Sequence, residues 1–168
     1  MVDINFCKYV EFLKRSVDVD AETVFFCIGT DRVIGDSLGP ITGTLIKQKY
    51  NDLNVYGELD ETVTYENIRA KLDEINQKFN NPYIVAIDAA LSTAENVGKI
   101  FIDNQGINFG ESLGKNIGNI GNIGIKVVVG VDYNDAILNF KTLQNTNMSE
   151  IIKLSKKTFE GISILMNK

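Results

Sequence analysis

A chain of 168 residues, 44% hydrophobic and 23% charged, carries enough apolar material for one self-supporting domain spanning 1–168 and is too well balanced to stay disordered. Its net charge of −5 offers no basic face to nucleic-acid phosphates or anionic lipid, and no apolar run approaches the ~20 residues of a membrane span. Histidine is absent, which excludes Ser-His-Asp and Cys-His nucleophile systems and histidine-ligated zinc, and leaves proton transfer to carboxylates, lysine, tyrosine or cysteine.

The opening MVDINFCKYVEF lacks a basic segment followed by a long apolar core, so a cytoplasmic protein is expected. Phe6, Val10, Leu13 and Val17 recur at helical spacing and predict an N-terminal helix over 3–16, ended by Asp18 and Asp20. A buried strand follows over Val24–Ile28, with Cys27 inside it as a small hydrophobe. Two cysteines are too few for a disulfide framework. The glycine-rich turn GTDRVIGDSLGP then leads into a helix, with Ser37 as its N-cap, Pro40 in the first turn, and Ile41, Leu45 and Ile46 as its buried face.

LNVYGEL reads as a short strand before the polar loop DETVT. Tyr65, Ile68, Leu72, Ile75 and Phe79 step at intervals of 3, 4, 3 and 4, an amphipathic helix. Pro82 opens YIVAID, a near-continuous apolar strand of the kind buried on both faces, closed by Asp88. About nine residues link it to the next strand, Gly98–Asp103, too few for a helical crossover, so an antiparallel strand is expected there. Residues 104–124 are rich in glycine and asparagine and end in NIGNIGNIG, read as a loosened loop or lid rather than a solenoid. After the strand IKVVVGV, a final helix is predicted from Asn147, with Glu150 in the capping-box position and Ile151, Ile152, Phe159, Ile162 and Leu165 or Met166 inward. This alternation predicts an α/β three-layer αβα sandwich, with a mainly parallel sheet of about five strands and one antiparallel strand.

In such sheets the functional crevice lies beyond the carboxyl ends of the strands, where Asp36 and Asp88 are both expected. Asp36 also fits a plain role at a helix start, and Asp88 a structural hydrogen-bonding one. The turn resembles a phosphate-cradling loop in placement. It lacks GxGxxG and GxxxxGK[ST], however, and sets aspartates where a phosphate would sit. A Mg²⁺ site built from Asp31, Asp36 and Asp88 is chemically reasonable. The sharper reading needs no metal and no cofactor. Two carboxylates held close share one proton; the ionised partner activates water, and the protonated one donates to the leaving amine. Gly29, Thr30, Asp31 and Ser37 would shape the pocket, with backbone N–H groups near Gly29 and Thr30 facing the oxyanion. Asp60 and Glu61 would reach its rim.

GTDRVIGDSLGP, followed by VYGELDE and AIDAAL, resembles the YyaC-type sporulation proteins, relatives of the spore germination protease and the hydrogenase maturation endopeptidases. The similarity spans roughly 22–135 and rests on Gly29, Asp36, Gly39 and Asp88. It implies a hydrogenase maturation protease-like fold. It also implies that Asp36 and Asp88 stand at the two acidic positions assigned to function in the protease relatives. The hydrogenase enzymes add a histidine to their nickel site, and this chain has none. A sporulation-associated aspartic-type peptidase is therefore expected, acting on a peptide or protein substrate with basic character. A non-catalytic peptide-binding protein and a Mg²⁺-dependent hydrolase are the alternatives.

Overall fold

The computed structural model describes residues 4–20, 22–109 and 117–167. Among the described residues the strands are β1 (Thr23–Cys27), β2 (Asn54–Tyr56), β3 (Tyr83–Ser92), β4 (Ile100–Asp103), β5 (Ile107–Phe109), β6 (Gly118–Ile120) and β7 (Ile123–Val131). Five helices run α1 (Ile4–Ser16), α2 (Leu38–Lys49), α3 (Ile68–Lys78), α4 (Ala136–Gln144) and α5 (Met148–Met166). The main sheet has the order β2-β1-β3-β7-β4 and is parallel except for β4, which pairs antiparallel with β7. Strands β5 and β6 form a separate antiparallel pair.

Period-two alternation sorts the central strands between two cores. Phe25, Cys27, Val85, Ile87, Ile125 and Val127 face the layer of α1, α2 and α5. Val24, Phe26, Ile84 and Ala86 face the opposite layer, built from α3 and the β5–β6 pair. The expected sandwich of about five strands is thus present, and a β-hairpin shares the second outer layer with a single helix.

The predicted helices α1 and α3 form where the apolar spacing put them, and Tyr9 joins the α1 core by donating from its hydroxyl to the Thr158 carbonyl at 2.8 Å. In α2 the buried face differs from the expected one. Ile46 is buried, but Ile41 and Leu45 are only partly covered, and Leu38, Gly39, Thr42 and Gly43 lie inward instead. The reason is the close approach of this helix to β1. A β-carbon on Gly39 would meet the Ile28 main chain, and one on Gly43 would meet the Gly57 carbonyl and the Cys27 side chain. At α5, Asn147 caps by accepting from the Ser149 N–H at 2.9 Å, while Glu150 pairs with Lys153 at 3.1 Å. Ile152 is exposed, and Leu154 takes its place inside. Helix α4 was not foreseen from the sequence.

Two expectations about β3 and the NIG repeat need correction. Asp88 does not close its strand: β3 continues to Ser92, because Asp88, Ala89 and Ala90 keep pairing with Lys126, Val127 and Val128 before the register slips at Leu91. The tripeptide repeat is not a loop. Its second copy supplies β6 and its third leads into β7, whereas 110–116 lie outside the described residues. Asn122 explains the register. Its side-chain oxygen accepts from the Ile84 N–H at 2.7 Å and its own N–H donates to the Ile84 carbonyl at 2.8 Å, extending the β3–β7 ladder by one step. Asn122→Ala orphans the Ile84 N–H and is expected to cost about 1–3 kcal/mol in urea unfolding. An unchanged midpoint would show that water replaces the amide.

Candidate functional site at the carboxyl edge of the sheet

After β1 the chain pairs once more, Ile28 with Val63, and then turns at Gly29 with φ 142°. Only glycine suits that conformation, and a β-carbon there would also collide with the Asp36 carbonyl. The turn thereby folds back on itself. The Thr30 N–H donates both to Asp36 Oδ2 at 3.1 Å and to the Asp36 carbonyl at 3.2 Å. Asp36 sits in a short 3-10 segment, Ile34–Ser37, that runs directly into α2. Asp88 arrives by a separate route, on the inner strand β3 beyond the apolar run that ends at Ile87.

The two acids share an electrostatic environment. Burial pushes Asp36 up to about 6, with the Thr30 N–H pulling the other way. Asp88 is raised well above the ordinary carboxylate range, first by burial and then by the nearby Asp36 charge. The Ala89 N–H and the Lys126 ammonium oppose that rise. Lys126 is the register partner of Asp88 on β7, and its Nζ lies 3.7 Å from Asp103 Oδ2 on β4. Sequence reasoning missed both residues, because only strand pairing brings Lys126 to Asp88 and Asp103 to Lys126.

A groove of about 590 Å³ opens beside Asp36, lined by Thr30, Asp31, Arg32, Thr64, Tyr65 and Asn67 among others. Thr30 and Asp31 line this groove together with Asp36. Ser37 does not shape this groove. It is buried, and its hydroxyl donates to the Ile34 carbonyl at 2.6 Å rather than capping α2. Gly29 acts through its conformation. Its N–H donates to the Val63 carbonyl at 2.8 Å, and the Thr30 N–H is held by Asp36, so neither is a free oxyanion donor. Glu61 lines a different cavity of about 260 Å³, with Lys47, Glu58 and Glu74, and pairs with Lys71. Asp60 is exposed. Among the described residues no three Asp, Glu or Cys side chains gather to hold a metal ion, so the Asp31–Asp36–Asp88 triad is not assembled. Among the same residues no helix is long and apolar enough to cross a membrane.

Both acids have folded-state pKa values above those of the unfolded chain. Their contribution to stability is therefore complete at low pH and is lost as pH rises, for Asp36 between 3.8 and about 6 and for Asp88 from 3.8 upward. Asp36→Asn should raise stability at pH ~8 by about 1–2 kcal/mol and by far less at pH ~4, and Asp88→Asn should act in the same direction. Denaturant unfolding at the two pH values reads this directly, and equal effects at both would refute the assignment. Lys126→Met removes the cation beside Asp88 and should move that carboxyl's titration upward in carbon-detected NMR.

The chain belongs to the DUF1256 family, proteins of unknown function, whose family model matches residues 3–161. The uncharacterized protein YyaC of Bacillus subtilis (strain 168) is 32% identical over 142 residues, which cover 84% of this chain and 68% of YyaC. Among solved structures, the NiFe hydrogenase maturation protease HycI from Thermococcus kodakarensis KOD1 superposes with a TM-score of 0.58 at 16% identity. That likeness covers 94% of this chain and 99% of HycI. An uncharacterized protein from Wolinella succinogenes gives 0.51 at 16% identity over 86% of this chain and 96% of its own. The fold is that of the hydrogenase maturation protease, and the YyaC-type resemblance carried by the turn and the β3 aspartate holds across the chain.

Proposed function

We propose that this DUF1256-family chain is a sporulation-associated peptidase that hydrolyses peptide bonds with Asp36 and Asp88 and without a resident metal. The observation that carries the reading is the pair itself. Two carboxyls on separate elements are both raised, and the charge of one raises the other further. Such a pair holds a single proton across a window of pH. In that window the ionised carboxyl accepts a proton from water as the oxygen attacks the peptide carbonyl, and the protonated carboxyl donates to the departing amine. The groove beside Asp36 offers the substrate an extended seat, and on its lining Asp31 and Glu66 outweigh the one cation, Arg32, and so favour basic side chains. Lys126 keeps Asp88 from holding its proton too tightly.

The reading is tested with a diverse peptide library, with and without chelator. The wild-type protein should cleave it with a bell-shaped pH profile whose acid limb lies near 6. Asp36→Asn and Asp88→Asn should each reduce the rate by at least ~10²-fold. Chelator sensitivity would point instead to a metal-dependent hydrolase, and binding without cleavage to a peptide-binding module.

A further inference from the structure

Next to the two acids, three adjacent strands set a second charged pair. Asp88 on β3 and Lys126 on β7 are register partners, so they project from the same face of the sheet. That face is the one covered by α3 and the β5–β6 hairpin, because Ile125 and Val127, on either side of Lys126, belong to the opposite core. On β4 the residue in the row of Asp88 and Lys126 is Phe101. Asp103 pairs instead with Gly124, one same-face row nearer the start of β7, which is about 6.6 Å along the strand. Across that diagonal the Lys126 Nζ still comes to 3.7 Å from Asp103 Oδ2.

Asp103 is itself fixed in place. Its Oδ1 accepts from the Gln105 N–H at 3.0 Å, which turns the carboxyl toward the end of β4 and away from the row of Asp88. The turn beyond it lies directly on β7, since a β-carbon on Gly124 would strike the Gly106 main chain. The flexible lysine stem therefore supplies the reach. We propose that Asp103 is a positioning residue of the Asp36–Asp88 site, holding the Lys126 ammonium back along the sheet so that it does not pair fully with Asp88. This deepens the peptidase reading above and rests on it. A lysine free to pair with Asp88 would favour ionisation of both acids, and carboxyls with no proton between them offer no general acid to the departing amine. The charged groups around Asp88 are Asp36 from the 3-10 segment and Lys126 from β7, with Asp103 of β4 acting through Lys126. The hairpin and α3, on the same side of the sheet, bring Ile107, Ile120, Ile68 and Ile75 to that core. The side chains of Lys126 and Asp103 are 34% and 47% exposed, so their pairing adds little to folding, and stability alone does not account for it.

The test follows the Asp88 carboxyl by carbon-detected NMR titration in the wild type, Asp103→Asn, Lys126→Met and the double variant. Asp103→Asn keeps an acceptor for the Gln105 N–H and removes the charge. It should lower the Asp88 midpoint by about one pH unit, Lys126→Met should raise it, and the double variant should match Lys126→Met closely. In cleavage of a peptide library, the alkaline limb of the pH profile should follow the Asp88 midpoint, down in Asp103→Asn and up in Lys126→Met, with KM unchanged. An Asp88 midpoint unmoved by Asp103→Asn overturns the inference. So does an equal fall when Asp103 is replaced in the Lys126→Met background, because Asp103 then acts through its own charge and positions nothing. The expected midpoints with no cleavage by any form keep the placement of Lys126 and remove the peptidase reading. Cleavage whose alkaline limb ignores Asp103→Asn keeps the peptidase reading and removes the inference.

Discussion

A carboxylate on an inner strand of a parallel sheet is costly to keep, and Asp88 is one. It follows four buried residues of β3, with β1 paired on one side and β7 on the other. Apolar side chains at that position would stabilise the domain more. The surrounding structure limits the cost without removing it. The Ala89 N–H and Lys126 lower the energy of the ionised form, Asp103 stands beside Lys126, and Asp36 raises that energy again. These competing influences leave the Asp88 carboxyl raised well above the ordinary carboxylate range, the net result of burial and the Asp36 charge against the Ala89 N–H and Lys126.

Asp36 reaches the same edge only because the chain can reverse within a few residues. Gly29 takes a backbone conformation closed to other residues, and Gly39 and Gly43 let α2 lie almost against the main chain of β1. These glycines have a mechanical role. They draw the start of α2 in toward the end of β1, so that the Thr30 N–H can grip the Asp36 carboxylate from behind. The same tight packing continues outward, where Leu143 of α4 seats on Gly35. The turn that carries Asp36 is therefore clamped between β1 on one side and α4 on the other.

Much of the scaffold was legible in the sequence. Apolar periodicity exposed α1, α3 and α5, and the short link after β3 signalled the antiparallel β4, because each of these depends on local spacing alone. Helix α4 escaped notice since its large apolar residues face solvent, so they carry no core-seeking pattern. The NIG repeat looked like a loop because glycine and asparagine are poor strand formers. In place, Asn122 imitates a backbone rung toward β3, and Gly118–Ile120 pair with β5. Ser37 and Glu61 were misplaced for a related reason. A hydroxyl beside a helix start and a carboxylate after a strand end have several partners within reach, and the partners that won, Ile34 and Lys71, depend on how the turns close.

The sequence by itself determined the chemical vocabulary: no histidine, acids that follow apolar runs, and glycines spaced for a tight strand-to-helix turn. Those follow from residue identity and short-range sterics. Tertiary structure decided which acids influence one another. The Asp36 charge acts on Asp88 while Asp31 stays on the groove wall and Glu61 pairs with Lys71, and Lys126 joins only through the β3–β7 register. Strand pairing is a long-range choice, made by burying whole faces at once, and no local run of residues encodes it.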